Sequence, residues 1–245
     1  MRIVIWRRMA STSISPEIIL RVREFYTMAY QEIYENKRKQ VKSDNGVTDY
    51  AIPSYILSTA AVEAFMNELF FAIGLGFLKG SSFEKLSQEE REVLRKASLE
   101  TKLLRVPELA FDQKVFEPGH QPFQDMSYLI KVRNSFVHYK MAIDAEHKGI
   151  LDYLAKKGIA IDTPDGPNRF WVSDLSTFEG IRWAHNTIVK IIKEIIDTAV
   201  TTNRHPVLIS MGKQSKSFFH EIPNFGQNDP WSAWMRAHTK WKKLP

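Results

Sequence analysis

The stretch STFEGIRWAHNTIVKIIKEIIDTAVTT, residues 176–202, repeats its apolar side chains at the helical period over many turns, with Ser176 or Thr177 placed to cap it. A segment of that kind must bury one long stripe. The simplest way to cover the stripe is with other helices. The rest of the body offers them. In SPEIILRVREFYTMAYQEIYENKRKQ, Ser15 is an N-cap candidate with Pro16 at the first helical position, and Ile18, Val22, Phe25, Ala29 and Ile33 recur at helical spacing. Asn45-Gly46 then signals a turn. A second long helix is expected from about Ser54 to about Leu78, with Leu57, Ala60, Ala64 and Phe71 along one side and its alanines allowing close approach.

Further along, SQEEREVLRKA carries a capping box, Ser87 with Glu90 three residues later. SLETKLLRVPELAF reads as a short helix ended near Pro107, and EPGHQP as a loop. A helix is expected from about Phe123 to about Ile143, and a shorter one in AEHKGILDYLAKKG, closed by Gly158. IAIDTPDGPNRFWVSD resembles a small hairpin or ordered loop around Pro164-Asp165-Gly166. The expected architecture is an all-α bundle of four or five main helices, spanning residues 15–202. Residues 1–14 form an N-terminal extension and 203–245 a C-terminal tail.

Composition narrows the chemistry. The chain has 245 residues and no cysteine, which removes disulfides, thiolate metal sites and a cysteine nucleophile. In MRIVIWRRMAS a short apolar patch is followed by two arginines, whereas a secretory signal puts its charge first and a longer apolar run after it. AFMNELFFAIGLGFL is interrupted by Asn67 and Glu68 and is short for a membrane span. A cytoplasmic protein without a membrane partner is expected. The net charge of +6 collects at the ends: residues 203–245 hold seven Lys/Arg against two Asp/Glu, and residues 1–10 hold three arginines and no acid. Within the tail, DPWSAWMRAHTKWKK places Trp231, Trp234, Met235, His238 and Trp241 on one helical side, with Arg236, Lys240 and Lys243 on another. Such a Trp stripe most simply docks on the bundle or on a partner chain. The rival use is RNA contact through Trp234, Arg236, Lys240 and Trp241, since aromatics interleaved with cations hold single strands.

The stretch YLIKVRNSFVHYK, residues 128–140, is the chemically unusual one. With each residue turning about 100°, Leu129, Val132, Phe136, Tyr139 and Ile143 share a side that should face the core. Asn134 and His138, four apart, stack on nearly the opposite side, and the long stem of Arg133 can swing towards them. Ile130 and Val137 add a second apolar strip, which a two-fold dimer could cover while bringing two copies of the polar group together. Histidine can take or give a proton near neutral pH. An arginine fork binds phosphate and stays charged. RNA brings its own nucleophile, the 2′-hydroxyl, so cleavage needs only a base, an acid and stabilisation of the pentacoordinate phosphate, with no metal. Periodicity by itself favours an ordinary helix surface.

RNSFVH resembles the Arg-x4–6-His motif of HEPN (higher eukaryotes and prokaryotes nucleotide-binding) domains. Arg133 and His138 match its ends, and Asn134 matches the polar residue that often follows the arginine. STAAVEAFMNELFF looks like the earlier HEPN helix, with Glu63 and Asn67, and FEGIRWAHNTIVKII is similar to the closing helix of many bacterial members. The resemblance spans roughly residues 50–200 and leaves the tail outside. It implies a homodimeric, metal-independent, cofactor-free ribonuclease of toxin, antiviral or stress-defence type, with its site at the dimer interface. Arg133 would stabilise the scissile phosphate, His138 would act as base or acid, and Asn134 would support them. Glu63 and Asn67 would form a buried pair, hydrogen-bonded to the motif helix and able to orient Arg133 or His138. Products would carry a 2′,3′-cyclic phosphate and a 5′-hydroxyl. In one branch a partner antitoxin modifies a tyrosine two residues after the histidine. Here Lys140 stands at that position and Tyr139 directly follows the histidine. That departure argues against an antitoxin that modifies the chain with AMP, and an antitoxin or defence partner protein of another kind stays among the expected partners. Some members of the family are inactive and serve only for dimerisation or RNA binding, which is the alternative function. The remaining histidines, His147, His185, His205, His220 and His238, show no paired metal-ligand spacing.

Overall fold

The structure, a computed structural model, describes residues 49–74, 80–138, 145–160, 171–203 and 221–222. The expected first helix, the turn at Pro164-Asp165-Gly166 and the Trp/Lys tail segment with Trp234, Arg236, Lys240 and Trp241 lie outside the described residues, as do Tyr139 and Ile143.

The described residues are all-helical, without strands. Helix α1 spans Ala51–Gly74, α2 Gln88–Lys96, α3 Leu99–Phe111, α4 Phe123–Val137, α5 Ala145–Lys156, α6 Trp171–Leu175 and α7 Phe178–Thr201, with a 3-10 turn at Ser82–Lys85. The long helices α1 and α7 pack together as the centre of the bundle. α4 lies against both, α3 flanks α1, and α5 joins α4 to α6.

The isoleucine-rich stripe of α7 is the core's main apolar contribution: Ile181, Ile188, Ile191, Ile192 and Ile195 are fully buried. Removing one such side chain from water contributes roughly 1.5–3 kcal/mol. Thr177 starts this helix. Its Oγ1 accepts from the Gly180 amide at 2.9 Å and donates to the Ile159 carbonyl at 2.5 Å. One hydroxyl thus caps α7 and ties it to the chain that leaves α5. The α5 exit turns at Gly158, whose φ of +68° lies in the left-handed region that glycine adopts freely. At α2 the capping box is formed, with Ser87 Oγ accepting from Glu90 N at 3.2 Å and Glu90 Oε2 accepting from Ser87 N at 2.7 Å.

Tyr55 of α1 is buried in the core and donates its hydroxyl to the Leu175 carbonyl at 2.7 Å, linking α1 to the end of α6. Burial pushes this phenol well above its usual range, so it stays neutral and keeps donating.

Several elements differ from the sequence reading. The buried face of α1 is made by Tyr55, Val62, Phe65, Met66 and Leu69, not by Leu57, Ala60, Ala64 and Phe71. Those four lie on the opposite side, where Phe71 is 55% exposed. A helix that is apolar nearly all round offers two stripes, and periodicity does not choose between them. By length and composition, Ala51–Ile73 would also suffice to cross a membrane, yet half of its most apolar window is buried inside the bundle. α3 runs straight through Pro107, which the sequence reading took as its end. Proline removes one helical donor, but Val106, Pro107, Ala110 and Phe111 are all buried together, and that packing holds the last turn in place. Residues 171–175 are helical, so any hairpin in that region does not extend to Trp171.

Candidate functional site

Helix α4 carries the motif, and its sequence from Ser127 to His138 contains two cations and no acid. Phe123, Met126, Leu129 and Val132 bury its inner side. At its C-terminal end Phe136 lies between Tyr55, at 5.8 Å and 13°, and Trp171, at 5.2 Å and 23°. His147, at the start of α5, packs on the far side of Trp171 at 4.8 Å. This aromatic column fixes the last turn of α4 from behind, which is the turn that presents the polar residues.

Arg133 is half-buried and Asn134 is exposed. Arg133 Nη1 donates to Asn134 Oδ1 at 2.9 Å, so the guanidinium has swung across the helix towards the asparagine ridge. His138 is exposed and is the residue at which α4 stops: φ −108° and ψ 45° leave the helical region, although its amide still donates to the Asn134 carbonyl at 2.9 Å. The helix therefore ends six residues short of the expected Ile143. The histidine stays in register with Asn134 while its side chain is freed from the helical rotamer restrictions that a further turn would impose.

Elsewhere on the surface, among the described residues, six cations find carboxylates, while others, such as Lys85, Lys96 and Lys193, do not. Arg95 pairs with Glu92, Arg105 with Glu108, Lys114 with Glu117, Arg182 with Glu179, Lys157 with Asp125 and Lys190 with Glu221. Among the described residues, no carboxylate stands within ion-pair distance of Arg133 or Lys131. A half-buried Arg133 beside exposed Asn134 and His138 therefore forms a polar group with no described carboxylate within ion-pair distance of its guanidinium, an arrangement open to an anion.

Glu63 and Asn67 are placed differently from expectation. Both are exposed on the outer side of α1, not buried. Asn67 Oδ1 accepts from Lys102 Nζ of α3 at 3.2 Å, not from the motif helix. The recorded bond belongs to an α1–α3 tie that satisfies Lys102, a cation only 8% exposed. The small side chains of α1 made Glu63 and Asn67 look inward, but the opposite stripe was the one buried. The second apolar strip of α4 also divides: Ile130 packs on the core, whereas Val137, beside the motif, is 51% exposed.

Sequence reasoning missed the neighbouring cluster. Tyr128 of α4 and Tyr153 of α5 stack at 3.6 Å and 3°. Tyr153 donates to Asp125 Oδ1 at 2.7 Å, and Lys157 Nζ reaches the same oxygen at 2.5 Å. Burial alone would lower the Lys157 ammonium, but its bonds to Asp125 and Tyr153 outweigh that and hold it above the usual lysine range. Lys131 lays its ammonium over the Tyr128 ring, 5.0 Å from the centroid. The spacing Lys131, Asn134, His138 was the available signal, since three and seven residues apart keep one helix face.

Among the described residues, no three His, Asp or Glu side chains come together as a metal site. Comparison with protein-family models, with curated proteins and with solved structures finds no match.

Proposed function

We propose that this chain is an endoribonuclease of HEPN type that needs no metal and acts as a homodimer in the cytoplasm, in a toxin or antiviral setting. One observation carries the reading: the Arg133 guanidinium is joined to Asn134 beside an exposed His138, with no described carboxylate within ion-pair distance of it. The exposed Val137 next to this group is the apolar contact that a second copy would cover.

In this reaction His138 takes the proton of the RNA 2′-hydroxyl. The 2′ oxygen forms a bond to the adjacent phosphorus, and the bond from phosphorus to the 5′ oxygen breaks. The leaving oxygen takes a proton from the histidine of the second copy. Arg133, steered by Asn134, holds the phosphate oxygens on which negative charge develops. General acid–base help of this kind contributes about 10²–10⁴-fold, and one charge-stabilising donor about 10²–10³-fold.

The test is cleavage of mixed single-stranded RNA in EDTA by the wild-type chain and by Arg133→Ala and His138→Ala variants. The wild type is expected to cleave, and each variant to be slower by about two orders of magnitude or more. Equal cleavage by all three would remove these residues from the chemistry. Intact RNA in every lane, with RNA still bound, would leave a non-catalytic RNA-binding module.

A further inference from the structure

Lys131 is the cation on α4 that the motif does not use. It stands three residues before Asn134 and seven before His138, two turns along the same ridge and about 10 Å from His138 along the helix axis. Its ammonium rests over the Tyr128 ring, 5.0 Å from the centroid. That ring is itself stacked face to face on Tyr153 at 3.6 Å, and Tyr153 is anchored by its hydroxyl to Asp125. Asp125 is the acid closest to Lys131 in sequence on α4. Its charge is already shared by Tyr153 and Lys157. Lys131 is thus a partly exposed cation held on a rigid aromatic pedestal, with no described carboxylate beside it.

A flexible lysine normally gives up side-chain freedom when it binds a phosphate. The pedestal takes much of that freedom away beforehand, which favours binding. No acid on the α4 sequence separates Lys131 from Asn134 and His138. A strand whose reacting phosphate sits at Arg133 and His138 can therefore run along α4 as far as Lys131 without meeting a like charge; one turn further on, the Ser127 hydroxyl donates to the Glu100 carboxylate of α3, and that acid marks the end of the cationic run.

We propose that Lys131, seated on the Tyr128–Tyr153 stack, is a second phosphate contact that lays single-stranded RNA along α4, away from the reacting linkage. This rests on the ribonuclease reading for its substrate, and it adds a length requirement. A dinucleotide fills the Arg133–His138 end alone, whereas a longer strand also reaches Lys131. Lys131 positions the strand and takes no part in bond breaking.

The experiment compares wild type, Lys131→Ala and Lys131→Arg on a long oligouridylate and on the dinucleotide UpU. It also measures binding of the long strand at several salt concentrations in a His138→Ala background, where cleavage does not interfere. Lys131→Ala is expected to raise KM for the long strand with kcat unchanged, and to leave UpU cleavage at the wild-type rate. It should also lower the slope of log affinity against log salt by about 0.7, one single-strand phosphate contact. Lys131→Arg should restore both. Equal KM and equal salt slope in Lys131→Ala and wild type would overturn the inference while leaving the ribonuclease reading intact. A chain that binds the long strand through Lys131 yet cleaves nothing would support the inference and defeat that reading. Failure to bind the strand at all would defeat both.

Discussion

At the scale of single residues, the tightest spot in the core is where Gly180 meets Tyr55. A Cβ at position 180 would lie 1.9 Å from the Tyr55 hydroxyl oxygen, 3.0 Å from its ring carbon and 3.1 Å from Thr177 Oγ1. The hydroxyl cannot simply move, because it is bonded to the Leu175 carbonyl inside the bundle. Gly180→Ala is therefore expected to destabilise the chain by about 1–3 kcal/mol, the usual cost of overfilling a packed core. Tyr55→Phe should cost about 1 kcal/mol by removing this buried bond, which leaves the Leu175 carbonyl with the Thr177 amide as its remaining donor. Because the two changes act on one contact, the double variant should lose less than the sum. Chemical denaturation of the four chains gives the answer, and strict additivity would mean that the contact does not limit this site. The motif residues behave in the opposite way. Asn134 and His138 are exposed and the one side-chain bond within the group is that from Arg133 to Asn134, so substitution of these residues should change chemistry far more than stability.

Among the elements, helix starts were legible and helix faces were not. Ser87 with Glu90, and Thr177 ahead of Gly180, are local patterns whose hydrogen bonds close within three residues, and both form. Local bonds of this kind depend little on the rest of the fold. The buried side of α1 depends on which neighbour arrives, and the sequence placed it on the wrong stripe. Pro107 misled for a related reason: its local cost as a helix breaker was outweighed by burial beside Val106, Ala110 and Phe111. For the motif, helical spacing put Asn134 and His138 on one ridge and left Arg133 able to swing to either side; the bond to Asn134 is a side-chain choice that spacing does not encode. The Tyr128–Tyr153 stack was not, since it joins two helices through a contact that no spacing encodes. Thr177 offers a test of the cap. Thr177→Ala removes both the bond from Gly180 and the bond to Ile159, and should cost about 1–2 kcal/mol. Serine at the same position should recover most of it. A thermal midpoint unchanged by the alanine substitution would show that the start of α7 is fixed by packing alone.

For the molecule as a whole, the bundle packs one end of α4 from behind. α1 and α7 form the centre, α4 lies across both, and the Tyr55–Phe136–Trp171 column backs the turn where α4 stops. The side facing away from that column gathers Arg133, Asn134 and His138, with Lys131 two turns below the histidine. The proposed reaction gives this arrangement a distinctive product, because attack by the 2′-hydroxyl is the step that needs no metal and no enzyme nucleophile. The most direct measurement is the chemistry of the ends left on a single-stranded RNA cleaved by the purified chain in EDTA, with the all-deoxy strand of the same sequence beside it. The account predicts a 2′,3′-cyclic phosphate on the upstream fragment, a 5′-hydroxyl on the downstream fragment and an uncut deoxy strand. A 5′-phosphate end, or cleavage of the deoxy strand, would contradict it.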